Sequence, residues 1–134
     1  MGTTAILAEF RSRWLPHVTD GGLTRLINLL ESGSPLLIHG SFTQACAMGC
    51  LATHIGWHHP KTASRNDDAG VLWLTKVAGL NPATSQVIVE WDRRGPADWD
   101  LRSALLSACR EEKQIRSADD HDWDSTDCRE YVTC

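Results

Sequence analysis

Apolar positions along this chain recur mostly at three- and four-residue spacing, and glycine or proline interrupts them about once per short helix. Ile6, Leu7, Phe10 and Trp14 fall on one face behind a Thr3 or Thr4 cap, and Pro16 marks the end of that element. A second helix begins at Asp20, carries Leu23, Leu26, Ile27 and Leu30 on one side, and closes at Gly33. Leu36-Leu37-Ile38 is a short apolar run that reads as extended. Ser41 and Gln44 form an S-x-x-Q capping box for a third helix, which must stop before Pro60. Its middle, Ala45 to Ala52, is almost all small and uncharged. A helix without a polar face is buried on most sides, so the stretch at about 41–58 is expected to be the centre of the fold.

Lys61 to Asp67 is a polar excursion. Asp67 or Asp68 then caps a fourth helix with Val71, Leu72, Leu74 and Val77 apolar and Gly79 at its end. Asn81-Pro82 supplies a cap and a first-turn proline for the next segment, where Val87-Ile88-Val89 pulls towards strand. The cap favours helix; a strand there would pair 87–89 with 36–38. After Gly95-Pro96 a last helix runs from about Asp98 to Arg116, with Leu101, Leu105 and Cys109 as its inner stripe and Trp99 and Leu106 alongside. The expected fold class is all-α: five to six short helices packed around a central small-residue helix.

Length adds that 134 residues make one domain large enough for a core without staples. No apolar run approaches the roughly 20 residues that cross a bilayer, and the N-terminal stretch breaks at Glu9 without a basic flank, so neither a membrane span nor a secretory signal is expected. The five cysteines form no disulfide-type framework, which points to reduced thiols and a cytoplasmic setting.

Charge divides the chain. Residues 1–116 hold 12 Lys and Arg against 11 Asp and Glu, whereas 117–134 hold six acidic residues against Arg129 alone. The pattern is a nearly neutral helical body, 1–116, followed by an acidic aromatic tail, 117–134. Arg93-Arg94 is a pair rather than a patch, so nucleic-acid binding by the body is not expected.

Two candidate sites emerge. Cys46, Cys50, His54 and His58 follow one another at four-residue steps, which on one helix forms a slowly drifting stripe. Thiolate and imidazole suit zinc, but Cys46 and His58 would stand about 18 Å apart along the axis, so one ion could use only one adjacent pair. Core packing by the cysteines, a buried hydrogen bond from His54 and a helix-end cation at His58 explain the same residues without a ligand. As a nucleophile, Cys46 is the better placed cysteine, being nearer the helix start. No C-x-x-C or H-E-x-x-H pattern and no catalytic signature accompanies them.

The second site is the tail, where Asp119, Asp120, Asp122, Asp124 and Asp127 interleave with Trp123 and Tyr131. Aromatic side chains supply contact energy, and aspartates favour a basic partner surface; an arm folded back on the domain's own arginines, or a solubilising end, accounts for the same residues. The first functional class is therefore a small protein-binding module, acting as an adaptor, regulator or inhibitor, that needs no cofactor. The alternative is a metal- or thiol-dependent protein built on the stripe, with zinc as the candidate ion.

Overall fold

Six α-helices arise in chain order in the computed structural model, which describes residues 3–39 and 49–124, without the side chains of Asn66 and 119–124. They are α1 (Thr3–Glu9), α2 (Asp20–Ser32), α3 (Leu51–Trp57), α4 (Ala69–Leu72), α5 (Gln86–Arg94) and α6 (Trp99–Asp124). The described residues contain no strand, and the all-α expectation holds.

α1 does not stop as a plain helix. It widens into a π-turn at Phe10–Trp14 and tightens into a 3-10 turn at Leu15–His17. Ile6, Phe10 and Trp14 lie four residues apart, a step that drifts round a 3.6-residue helix. The wide turn, closed by the Leu15 amide on the Phe10 carbonyl, accompanies the full burial of all three side chains. α4 widens in the same way at Trp73–Val77, where the Ala78 amide reaches the Trp73 carbonyl at 2.9 Å. The two widened turns meet: the Trp14 and Trp73 rings pack 5.3 Å apart at 57°. Aromatic pairs in such tilted contact add about 0.5–1.5 kcal/mol to their burial.

α2 follows its sequence signals closely. Thr19 is the N-cap, its hydroxyl accepting from the Gly22 amide at 3.1 Å, and Gly33 closes the helix in the left-handed region at φ 63°. The segment at 86–94 is helical, so 36–38 has no partner there. Instead Leu37 makes a single parallel bridge with Gly49, through Ile38 N–H to Gly49 O (3.0 Å) and Gly49 N–H to Leu36 O (2.9 Å). The cap of α5 is Ser85, not Asn81; Asn81 folds a turn in which its side chain accepts from the Ala83 amide at 2.8 Å.

The central helix is shorter than its sequence suggested. Cys50 is the N-cap of α3 with extended backbone at φ −79° and ψ −177°, because Gly49 is already committed to the bridge. The Ser41–Gln44 capping box lies outside the described residues. The expectation of burial holds for what remains: Leu51, Ala52, Thr53, His54, Ile55 and Gly56 are all buried between α2 and α4. Within the polar excursion, Ala63–Asp68 is a 3-10 turn, and Thr62 is buried with its hydroxyl donating to the Gly56 carbonyl at 2.7 Å.

α6 runs antiparallel to α2. Arg102 lies against Gly33 at the end of α2, Arg110 pairs with Glu31, and Arg116 pairs with Asp20 at its start at 2.8 Å. Leu101, Leu105, Leu106 and Cys109 are buried as the stripe predicted, but Trp99 is not: it is 61 % exposed, with the Arg102 guanidinium 4.9 Å over its ring. Asp98 caps the helix, its carboxylate accepting from the Leu101 amide at 3.0 Å, and Arg94 beside it holds that carboxyl down to about 2. The expected end at Arg116 is passed by eight residues.

Candidate functional site

Of the Cys/His stripe, Cys46 lies outside the described residues, and the other three members do not form one helical row. Cys50 precedes α3, His54 is in its middle and His58 is its C-cap. Cys50 is buried with its sulfur 3.7 Å from the Thr53 hydroxyl, and burial pushes its thiol above the ordinary value. Cys109 on α6 is likewise raised, to about 12, by burial and then by Glu112. A raised thiol offers little thiolate at neutral pH, and the thiolate is the nucleophile and the ligand.

His54 is almost fully buried, at 1 % exposure. Its Nε2–H donates to the Leu36 carbonyl at 2.9 Å, which fixes the tautomer and leaves Nδ1 as a buried lone pair with no hydrogen-bond partner among the described residues. The ring meets Trp57 edge-on at 5.1 Å. Burial lowers its proton affinity below the usual imidazole value of 6.5, aided by the charges of Arg25 and His58 and opposed by the Leu36 and Gly49 carbonyls. His58 is exposed and turns its Nδ1–H to the His54 carbonyl at 3.0 Å. Among the described residues, no group of three or more His, Cys, Asp or Glu side chains could hold a metal ion.

His54 makes stability depend on pH. The unfolded chain binds a proton here at about pH 6.5, whereas the folded chain resists it. The contribution is therefore complete above that pH and is lost as pH falls below it, by up to about 1.4 kcal/mol per pH unit until the folded ring also titrates. Urea midpoints measured at pH 7.5 and 5.5 should show this loss. His54→Gln, which keeps a donor for Leu36, should remove most of it; an unchanged slope in that variant would assign the pH dependence elsewhere.

The second candidate site begins where α6 leaves the body. Among the described residues the last fully buried one is Cys109 and the last tether is Arg116, which donates to the Leu15 carbonyl (2.9 Å) and pairs with Glu112 and Asp20 (2.8 Å each). Ser117 and Ala118 are exposed, and the backbone stays helical to Asp124. The side chains of Asp119, Asp120, Asp122, Trp123 and Asp124 lie outside the description, as do Asp127 and Tyr131 altogether. The helix thus runs across the boundary that charge alone drew at 116/117.

Two features were not legible beforehand. Trp99 reads as core from its place beside Leu101 and Leu105, yet as the first residue of α6 it is exposed while Leu101, two residues on, is buried. His59 is legible only as a possible further ligand for the stripe, and no spacing rule links it to His17, which the fold brings near it. No protein-family model, curated protein or solved structure matches the chain. No described helix is long and apolar enough to cross a membrane.

Proposed function

We propose that the chain is a small protein-binding module, an adaptor, regulator or inhibitor, that engages a basic partner surface through the end of α6 and the segment after it. The observation that supports this reading is that α6 continues for eight helical residues past Arg116, the last tether among the described residues. Four of those eight are aspartates, placed at the helix end that already carries the negative pole of its dipole. A negative charge in the last turn of a helix, where Asp122 and Asp124 stand, is unfavourable by about 0.3–1 kcal/mol. A cationic partner relieves both the aspartates and the dipole, while Trp123 and Tyr131 offer apolar area beside them. A reducing, cytoplasmic setting belongs to the same proposal, and the free, buried Cys50 and Cys109 are compatible with it. Zinc or thiol chemistry at the stripe would need Cys46 or other groups outside the described residues, and it has less support.

The test uses a fluorescently labelled amphipathic Lys/Leu helix as a model basic partner. The full chain should bind it at low salt and lose about tenfold or more in affinity at 0.5 M salt. A chain ending at Arg116 should keep its thermal transition and lose the binding. Equal binding by the two chains sinks the proposal. Unfolding of the shortened chain would instead make the segment part of the fold.

A further inference from the structure

Three histidines converge where α2 begins. The His58 ring lies over the first turn of α2, 3.9 Å from where a Cβ on Gly21 would stand, and Thr19 donates to the His58 carbonyl at 2.8 Å. His59 follows, its Nδ1 accepting from the Lys61 amide at 3.1 Å. Its proton affinity is lowered by burial, then by the charges of Lys61 and His17, which places both within electrostatic reach of its ring. His17 is exposed, and its carbonyl accepts from the Trp73 indole at 3.4 Å. These contacts gather three separate stretches of chain at one end of the bundle.

α6 leaves the body at this same end, because Arg116 is tied to Leu15 and Asp20. Its last eight residues extend about 12 Å past that point at 1.5 Å per residue. Residues 125–134 can span up to roughly 33 Å, more than enough to return across that distance. Residues 117–134 hold six acidic side chains and one arginine, so the corner and the segment are complementary in charge.

We propose that the corner formed by His17, His58, His59 and Lys61 is a docking surface for the chain's own acidic C-terminal segment, residues 117–134, and that acidification strengthens the contact. This goes beyond the reading above, because the occupant is the chain itself. Other charged and titratable groups on the elements packed there include Asp20 and Arg25 of α2, His54 of α3, Arg65, Asp67 and Asp68 of the 3-10 turn, and Glu112 and Arg116 of α6. Asp20 and Glu112 are both engaged by Arg116, so neither repels the segment unopposed. Buried His54 resists charging, and His59 can gain a proton on Nδ1 only by giving up the Lys61 amide. His17 and His58 are both exposed. Histidine is the side chain that gains charge between pH 8 and 5, while aspartates stay ionised down to about pH 4. Acidification therefore adds cations to the corner without removing anions from the segment.

The test follows the imidazole Hε1 resonances of His17, His58 and His59 through an NMR pH titration at low salt. Three proteins are compared: the full chain, the chain ending at Arg116, and a full chain carrying Asp119→Asn, Asp120→Asn, Asp122→Asn, Asp124→Asn and Asp127→Asn. The midpoints of His17 and His58 should fall by on the order of half a pH unit in both altered chains, and the difference should vanish at about 0.5 M salt. The neutralised full chain guards against a shift caused merely by shortening α6. Identical midpoints in all three proteins overturn the inference. Unchanged midpoints in a chain that binds the Lys/Leu helix overturn the self-docking alone. Shifted midpoints in a chain that binds no such helix support it and sink the partner reading instead.

Discussion

Gly70→Ala should unfold this protein at a temperature on the order of 10 °C or more below the parent. α3 and α4 cross with glycine on both sides. A Cβ on Gly70 would stand 2.8 Å from the Thr53 amide nitrogen and 2.9 Å from its Cα, and nearer still to its hydroxyl. A Cβ on Gly56 would stand 2.7 Å from the Ala69 carbonyl carbon and nearer still to its oxygen. Most of these atoms are backbone within packed helices, so the clash cannot be relieved by turning a flexible side chain. Overpacking of this kind costs about 1–3 kcal/mol and occasionally more. Alanine's better helix propensity returns at most about 1 kcal/mol, so the steric term wins. A control separates the two effects. Gly21 also lies inside a helix, but the nearest atom to its Cβ position is His58 Cδ2 at 3.9 Å, an ordinary contact. Gly21→Ala should be neutral or stabilising by up to about 1 kcal/mol. Thermal melts of both variants decide the matter: if they behave alike, the helices do not cross at van der Waals distance.

The crossing also marks how far the sequence can be read. A small-residue helix at the centre of the fold is legible from the lack of a polar face around Ala52, and burial from Leu51 to Gly56 agrees with it. What cannot be read is which glycine meets which neighbour, because Gly70 and Thr53 belong to different periodic segments. The start of α3 fails for a related reason. The Ser41–Gln44 box is a local signal, whereas Gly49 is held by a bridge to Leu37, a partner twelve residues away. In α5, local chemistry did decide: three β-branched residues in a row still form a helix. Val87 and Ile88 face the core, Val89 is 44 % exposed, and the Trp91 indole donates to the Ile38 carbonyl at 2.8 Å. The candidate site is legible only as composition. Segregated acidity can be counted along the chain, but the antiparallel course of α6 beside α2, which brings its end to the histidine corner, is set by the core.

The second large effect is expected at Glu9, whose carboxylate ties α1 to the start of α5. One oxygen accepts from the Gln86 amide at 2.8 Å. The other accepts from the Trp14 indole at 3.1 Å, the Val87 amide at 3.2 Å and the Ser85 hydroxyl. Ser85 in turn caps the helix by accepting from the Ile88 amide at 3.4 Å. An anion placed on the free amides of a helix N-terminus satisfies donors that α5 cannot satisfy itself, and it lies at the favourable end of the dipole. Glu9→Ala leaves two backbone amides, an indole and a hydroxyl without their acceptor. Each unsatisfied buried donor costs about 1–3 kcal/mol, but this site is only half-buried and water will replace part of the loss. A net loss of about 3 kcal/mol is expected. Glu9→Gln is the sharper variant, since it preserves shape while replacing one acceptor oxygen with an amide group that faces donors. It should recover less than half of that loss. Amide hydrogen exchange locates the effect: protection should fall first from Val87 to Trp91, while α2 keeps its own. Uniform loss across α2 and α5 would mean that Glu9 supports the whole bundle rather than the N-terminus of one helix. The link depends on residues 76 to 78 positions apart in the chain. A lone glutamate that ends an apolar run in the sequence is thus the residue on which the fifth helix starts.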